Sequence, residues 1–199
     1  NAPLDDPEHP RHACDAALAM VVALAELNAK LATETAEFGH PLPPLVVGIG
    51  LNTGMCCVGN MGSDQRFDYS VISDEVNLAS RLEGQSKTYG ITIVMGENTR
   101  ARVPELATLE LDRIRVKGKT RPIRIYTLLG DEVLAASESF CALVTAHQEL
   151  LAAYRGQRWE EALAALSSCG RLGAGLGLEG LYALYAERIA DFRASPPPA

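Results

Sequence analysis

The 199 residues lack an excess of positive charge: 18 Lys and Arg stand against 25 Asp and Glu, a net charge of −7. That excludes a surface built for nucleic acid or anionic membrane, since both require a basic face. A metal-binding cysteine pattern is also missing. Cys14, Cys56, Cys57, Cys141 and Cys169 contain no Cys-x-x-Cys pair, and no His cluster accompanies them, which argues against a zinc site. All five read as reduced thiols of a cytosolic protein. No apolar run reads as long enough to span a bilayer, and no stretch reads as a signal peptide. The glycines at 48, 50, 54, 59 and 62 fit neither Gly-x-x-x-x-Gly-Lys-Ser/Thr nor a dinucleotide-binding fingerprint. Gly170–Gly180 carries no phosphate chemistry either.

What is present suits one globular domain plus an extension: hydrophobic residues make up 47% and charged residues 22%, an ordinary balance. The organising stretch is 66–84. Residues 67–72 are aromatic and β-branched and predict a short strand. Ser73 or Asp74 then caps a helix, with Asp74 and Glu75 at its positive end. Val76, Ala79 and Leu82 predict its buried face. Asn77 and Arg81, four apart, project side by side, and an amide beside a planar guanidinium fork suits an oxygen-rich anion such as phosphate. On spacing alone, a solvated helix face is the commoner outcome.

Before this stretch come a turn-rich opening and a long helix from Arg11 to about Phe38, with an apolar stripe at Ala13, Ala17, Met20, Leu24, Leu27 and Leu31. His9 and His12 flank its start as surface or capping groups. Residues 45–52 and 55–60 predict two strands joined as a tight hairpin at Thr53-Gly54, the glycines marking close approach of another backbone or a ligand. After it, the helix ends at 84–87, followed by a strand over 91–95 and a short helix over 97–103. Two strands over 109–116 and 122–129 follow, the first with a slip in alternation that suggests a bulge. Composition shifts after Gly130, and helices are predicted over 140–155, 159–169 and 179–193.

Three ordered motifs carry a resemblance. The run Phe67-Asp-Tyr-Ser-Val-Ile-Ser-Asp-Glu-Val-Asn-Leu-Ala-Ser-Arg-Leu-Glu83, the upstream Gly48-Ile-Gly-Leu-Asn-Thr-Gly54 and Val58-Gly-Asn-Met-Gly-Ser63, and the downstream Val116-Lys-Gly-Lys119 resemble class III nucleotide cyclases, the bacterial adenylate cyclase branch in particular. The resemblance covers residues 1–130. It implies an α+β, ferredoxin-like sandwich with a mostly antiparallel sheet, incomplete here, followed by a helical extension over 131–199 whose residues 154–163 resemble one tetratricopeptide-like helix pair. Such a pair is expected to pack on the cyclase domain or on a second copy.

The resemblance also implies the chemistry: ATP converted to 3′,5′-cyclic AMP and pyrophosphate, on two Mg²⁺ or Mn²⁺ ions held by paired aspartates. Arg81 corresponds to the transition-state cation, Asn77 to the ribose-orienting amide, Lys117 to the triphosphate lysine and Ser70 to the residue at the purine edge. The hydroxyl of Ser70 accepts from adenine or donates to guanine, so guanylate cyclase stays open. Ser73 replaces a usual glycine, which means either strain at a positive φ or a helix cap. The metal aspartates and the purine lysine belong ahead of the segment matched by residues 1–10, and Asp5 and Asp6 do not replace them. With the chain opening on Asn1, it is expected to be part of a longer, membrane-anchored bacterial protein. This part is expected to be cytoplasmic, to supply the Asn/Arg half of a head-to-tail homodimer site, and to make no cyclic nucleotide alone. An open sheet edge is expected to make it oligomeric or poorly stable. A catalytically silent dimerisation or regulatory module is the competing reading. A diguanylate cyclase is not, since no Gly-Gly-Asp/Glu-Glu-Phe hairpin is present.

Overall fold

The computed structural model describes residues 2, 4–37, 42–63, 66–116 and 121–195, and their side chains apart from those of 35–37, 66 and 67. It is a mixed α+β arrangement around a four-stranded sheet. The strands are β1 (Ile49–Leu51), β4 (Ile93–Gly96), β5 (Ala107–Ile114) and β6 (Ile123–Gly130), in the order β1-β4-β6-β5. β1 runs parallel to β4, with Ile49 opposite Ile93; the other pairings are antiparallel. A separate two-stranded ribbon pairs β2 (Cys57–Ser63) with β3 (Arg66–Ile72).

The predicted hairpin between 45–52 and 55–60 is therefore corrected: β1 enters the main sheet and β2 pairs forward with β3. The glycines show why. A Cβ on Gly50 would sit 2.1 Å from the Ala79 carbonyl oxygen, and one on Gly48 would sit 2.3 Å from the Ser86 hydroxyl. Helix α2 (Asp74–Tyr89) thus lies directly on β1, a close approach that only glycine permits.

Helix α1 (His9–Glu37) covers one face of the sheet through Cys14, Ala17, Leu18 and Val21, against Ile93, Met95 and Leu128. The predicted stripe holds at Ala17, Leu24 and Leu31 but not at Met20 and Leu27, which are 55% and 43% exposed. In this Ala/Leu/Val-rich helix positions 13–27 are apolar apart from Asp15 and Glu26, so polarity contrast defines the phase poorly. The same richness corrects the reading that no run could span a bilayer. Residues 9–34 are long and apolar enough to do so by length and composition. Polar groups anchor both ends of α1. Arg11 pairs with Asp15, Glu105 and Glu132 at 2.9, 3.2 and 2.8 Å, and Asn28 exchanges two hydrogen bonds with the Leu45 backbone.

On the other face lie α2 and the C-terminal helices α5 (Glu138–Arg155), α6 (Trp159–Leu172) and α7 (Glu179–Ala194), preceded by the short α3 (Glu97–Arg102) and α4 (Glu132–Ala135). Leu78, Leu82, Leu109 and Leu111 join Phe140, Leu143, Leu150, Leu181 and Ile189 in one continuous core. The C-terminal helices therefore pack on the sheet of their own chain. The slip in β5 is real: register shifts between Glu110 and Asp112, and the inward set passes from Leu109 and Leu111 to Ile114 and Val116.

Candidate active site

Helix α2 begins at Ser73, whose backbone is extended (φ −172°, ψ 166°) and whose hydroxyl accepts from the Glu75 and Val76 amides at 2.9 and 3.2 Å. Of the two readings of this residue, the cap is the one realised, and no left-handed strain is present. Asn52 ties the first turn to the end of β1 by donating to the Glu75 carboxylate at 2.7 Å and to its carbonyl at 3.1 Å.

The buried stripe is Leu78, Leu82, Ser86 and Tyr89. Leu82 is as predicted, but Val76 and Ala79 are only half-buried. The helix also runs past the predicted end at 84–87 and stops at Gly90, which adopts the left-handed conformation (φ 62°). Gly84 sits within the helix, exposed and with no close neighbour.

Asn77 and Arg81 stand one turn apart outside this stripe, Asn77 exposed and Arg81 half-buried. Arg81 faces an open pocket of about 360 Å³, lined also by Gln85 and by Ile114, Arg115 and Val116 at the end of β5. Among the described residues, none of the side chains of Asn77, Arg81 and Arg115 has a hydrogen-bond or ion-pair partner. Ser70 lies on the ribbon, half-buried and opposite Gly59. No hydrogen bond among the described residues joins it to Asn77 or Arg81. Lys117 lies outside the described residues.

The structure thus adds Gln85 and Arg115 to the predicted set. Both were within reach of sequence reasoning. Gln85 is four residues after Arg81 and shares its helix face. Arg115 stands two residues before Lys117 in the sequence, beside a motif already singled out.

At the opening of the chain, His12 Nδ1 meets the Asp6 carboxylate at 2.9 Å, and this contact holds that carboxyl below its usual range. Both residues are engaged at the start of α1, as capping groups would be. Among the described residues no group of three or more His, Cys, Asp or Glu could hold a metal ion. What Asn77, Arg81, Gln85 and Arg115 offer chemically is cationic and amide donors.

An α+β domain that presents an amide and a guanidinium from one helix, beside a pocket carrying a second guanidinium, is arranged to receive an anion. Residues 3–130 match the family described as the adenylate and guanylate cyclase catalytic domain, and the chain belongs to that family. It is 33% identical over 131 residues to adenylate cyclase 1 of Rhizobium meliloti (strain 1021), covering 65% of this chain and 19% of that protein. It is 39% identical over 118 residues to the adenylate cyclase of Anabaena cylindrica, covering 57% and 23%. The crystal structure of the guanylyl cyclase Cya2 superposes with a TM-score of 0.54 at 28% identity, over 66% of this chain and 63% of that one. The chain spans about a fifth of the length of these two curated relatives.

Proposed function

We propose that the protein carrying this chain is an adenylate cyclase that makes 3′,5′-cyclic AMP and pyrophosphate from ATP, and that these residues supply the Asn/Arg half of its site. The observation that carries the reading is the placement of Asn77 and Arg81: one turn apart, outside the buried stripe, and with no side-chain partner among the described residues, in a chain of this family. In the reaction the ribose 3′-oxygen forms a bond to the α-phosphorus, the bridge to the β-phosphate breaks, and pyrophosphate leaves with the electron pair. Negative charge grows on the α-phosphate oxygens. The fixed, always-charged fork of Arg81 is suited to meet it, because preorganised donors stabilise developing charge without reorganising. Asn77 orients the ribose, Lys117 takes the β- and γ-phosphates, and Ser70 meets the purine edge.

The paired aspartates for two Mg²⁺ or Mn²⁺ ions belong to parts of the protein outside the described residues. They face this half-site across a head-to-tail homodimer, in the cytoplasm where ATP is available. On this reading the chain alone turns over neither nucleotide. A guanylate cyclase is the second reading. It is favoured by the likeness to Cya2 and by the two-way hydroxyl of Ser70.

The test is an assay of the whole protein with ATP or GTP, beside Asn77→Ala and Arg81→Ala. Cyclic AMP is expected, with Arg81→Ala slower by about 10²–10³-fold. Cyclic GMP instead would keep the half-site and reverse the base preference. No product from either nucleotide, in a folded dimer, would leave the regulatory-module reading in its place.

A further inference from the structure

We propose that Arg115 and Gln85 complete a polyphosphate subsite with Arg81, Arg115 binding the tail of the nucleotide while Arg81 serves the phosphate that reacts. The inference rests on the cyclase reading and deepens it. Its starting point is where two of the arginines without a carboxylate partner stand. Among the described residues Arg11, Arg155, Arg158, Arg188 and Arg193 each pair with a carboxylate. The chain is net acidic at −7, so carboxylates are in good supply. Arg81 of α2 and Arg115, just past the end of β5, face one pocket with no carboxylate among the residues lining it. Two like charges left uncompensated in one hollow repel each other, and an anion seated between them removes that cost.

A second pocket, of about 320 Å³ between β5, β6 and α5, makes the contrast plain. It too is lined by two arginines, Arg100 and Arg155. There Arg155 is bound to Glu110, and Arg100 donates to the Val103 carbonyl at 3.3 Å. Its cations are spent on the fold; those of the Arg81 pocket are not.

The chemistry of the lining selects the ligand. Two planar forks match phosphate oxygens in bidentate fashion. The Gln85 amide supplies a further neutral donor. Ile114 and the buried Val116 give the pocket an apolar wall, where a charged hydrogen bond is stronger than in open water. A chain of linked phosphates carries enough charge to use both forks; a single carboxylate does not.

The experiment compares Arg115→Ala, Arg115→Lys and Arg81→Ala in the whole protein, with ATP as substrate and inorganic tripolyphosphate as a competing probe. For Arg115→Ala, kcat/KM for ATP is expected to fall about tenfold, with the loss carried by KM, and tripolyphosphate inhibition to weaken by a similar factor. Arg115→Lys is expected to recover part of both, since it keeps the charge and loses the fork. Arg81→Ala is expected to act on kcat. A wild-type KM and tripolyphosphate response in Arg115→Ala, while Arg81→Ala collapses turnover, would overturn the subsite and leave the cyclase reading standing. Unchanged turnover in Arg81→Ala would strike the cyclase reading itself. Should Arg115→Ala not fold by circular dichroism, Gln85→Ala carries the same KM and tripolyphosphate readout, with a smaller expected shift and the same overturning result.

Discussion

At the last turn of α2, the fold itself supplies the partners of Tyr89. Tyr89 donates to the Asp112 carboxylate at 2.8 Å, and Arg188 of α7 donates to the same oxygen at 2.8 Å. The Arg188 guanidinium lies over the rings of Tyr89 and Tyr185, 5.5 and 5.7 Å from their centroids, and Tyr185 donates to the Leu111 carbonyl at 2.7 Å. Gly90 closes the helix so tightly that a Cβ there would sit 2.8 Å from the Cα of Gly180. Burial raises the Tyr89 phenol, and the neighbouring carboxylate adds to it, so this end stays protonated and bridged at any ordinary pH. Two turns earlier the same helix presents Asn77 and Arg81 with no side-chain partner among the described residues. One end belongs to the fold, and the other is left for something that is not part of it. The comparison teaches where to look for function in a small domain: at donors that the fold positions but does not satisfy.

The largest expected effect breaks both ends together. Leu82 is fully buried between them, and Leu82→Ala should cost about 3–5 kcal/mol in urea or thermal unfolding. Next comes a change that separates the ends. Arg81→Ala should slow turnover by about 10²–10³-fold while shifting unfolding by no more than about 0.5 kcal/mol, because the side chain supports nothing else. A matching loss of stability would mean the two ends are not distinct.

Asp112→Ala attacks the C-terminal end alone. It strips Arg188 and Tyr89 of a shared partner, and a loss of about 1–3 kcal/mol is expected, measured with Arg188→Met beside it in a double-mutant cycle. Ser73→Ala removes the cap at the opposite end and should cost about 1 kcal/mol. The smallest effect at neutral pH concerns His147, which braces β5 by its Nε2 contact to the Glu110 carbonyl at 2.7 Å. Burial holds its pKa below the ordinary 6.5, against the pull of that hydrogen bond. The unfolded chain therefore takes up the proton first. Stability is full above pH 6.5 and falls as the pH drops below it. A lower unfolding midpoint at about pH 5.5 than at about pH 7.5, with a smaller difference in His147→Gln, is the expected outcome.

Much of this was legible because it is local. The cap at Ser73, the charged first turn, the spacing of Asn77 and Arg81, the starts of α6 at Trp159 and α7 at Glu179, and the bulge in β5 all follow from residues within a few positions of one another. The errors are long-range or hidden by uniform composition. Nothing near Ile49 states that its partner is Ile93, and a two-stranded ribbon and a sheet-entering strand read alike in a glycine-rich run. Helix α1 blurred its phase because positions 13–27 are apolar apart from Asp15 and Glu26.

By itself, the sequence determined the elements, their caps and the chemical types at the half-site, since hydrogen bonding to the next few residues and helical spacing act over short range. Only the tertiary structure decided that glycines 48 and 50 exist to let α2 lie on β1, that α7 fastens the end of α2 through Arg188, and that Arg115, just past the end of β5, shares a pocket with Arg81. These depend on which surfaces meet when distant segments pack. That choice is made by burying apolar area and satisfying buried polar groups over the whole chain, and no window of sequence contains it.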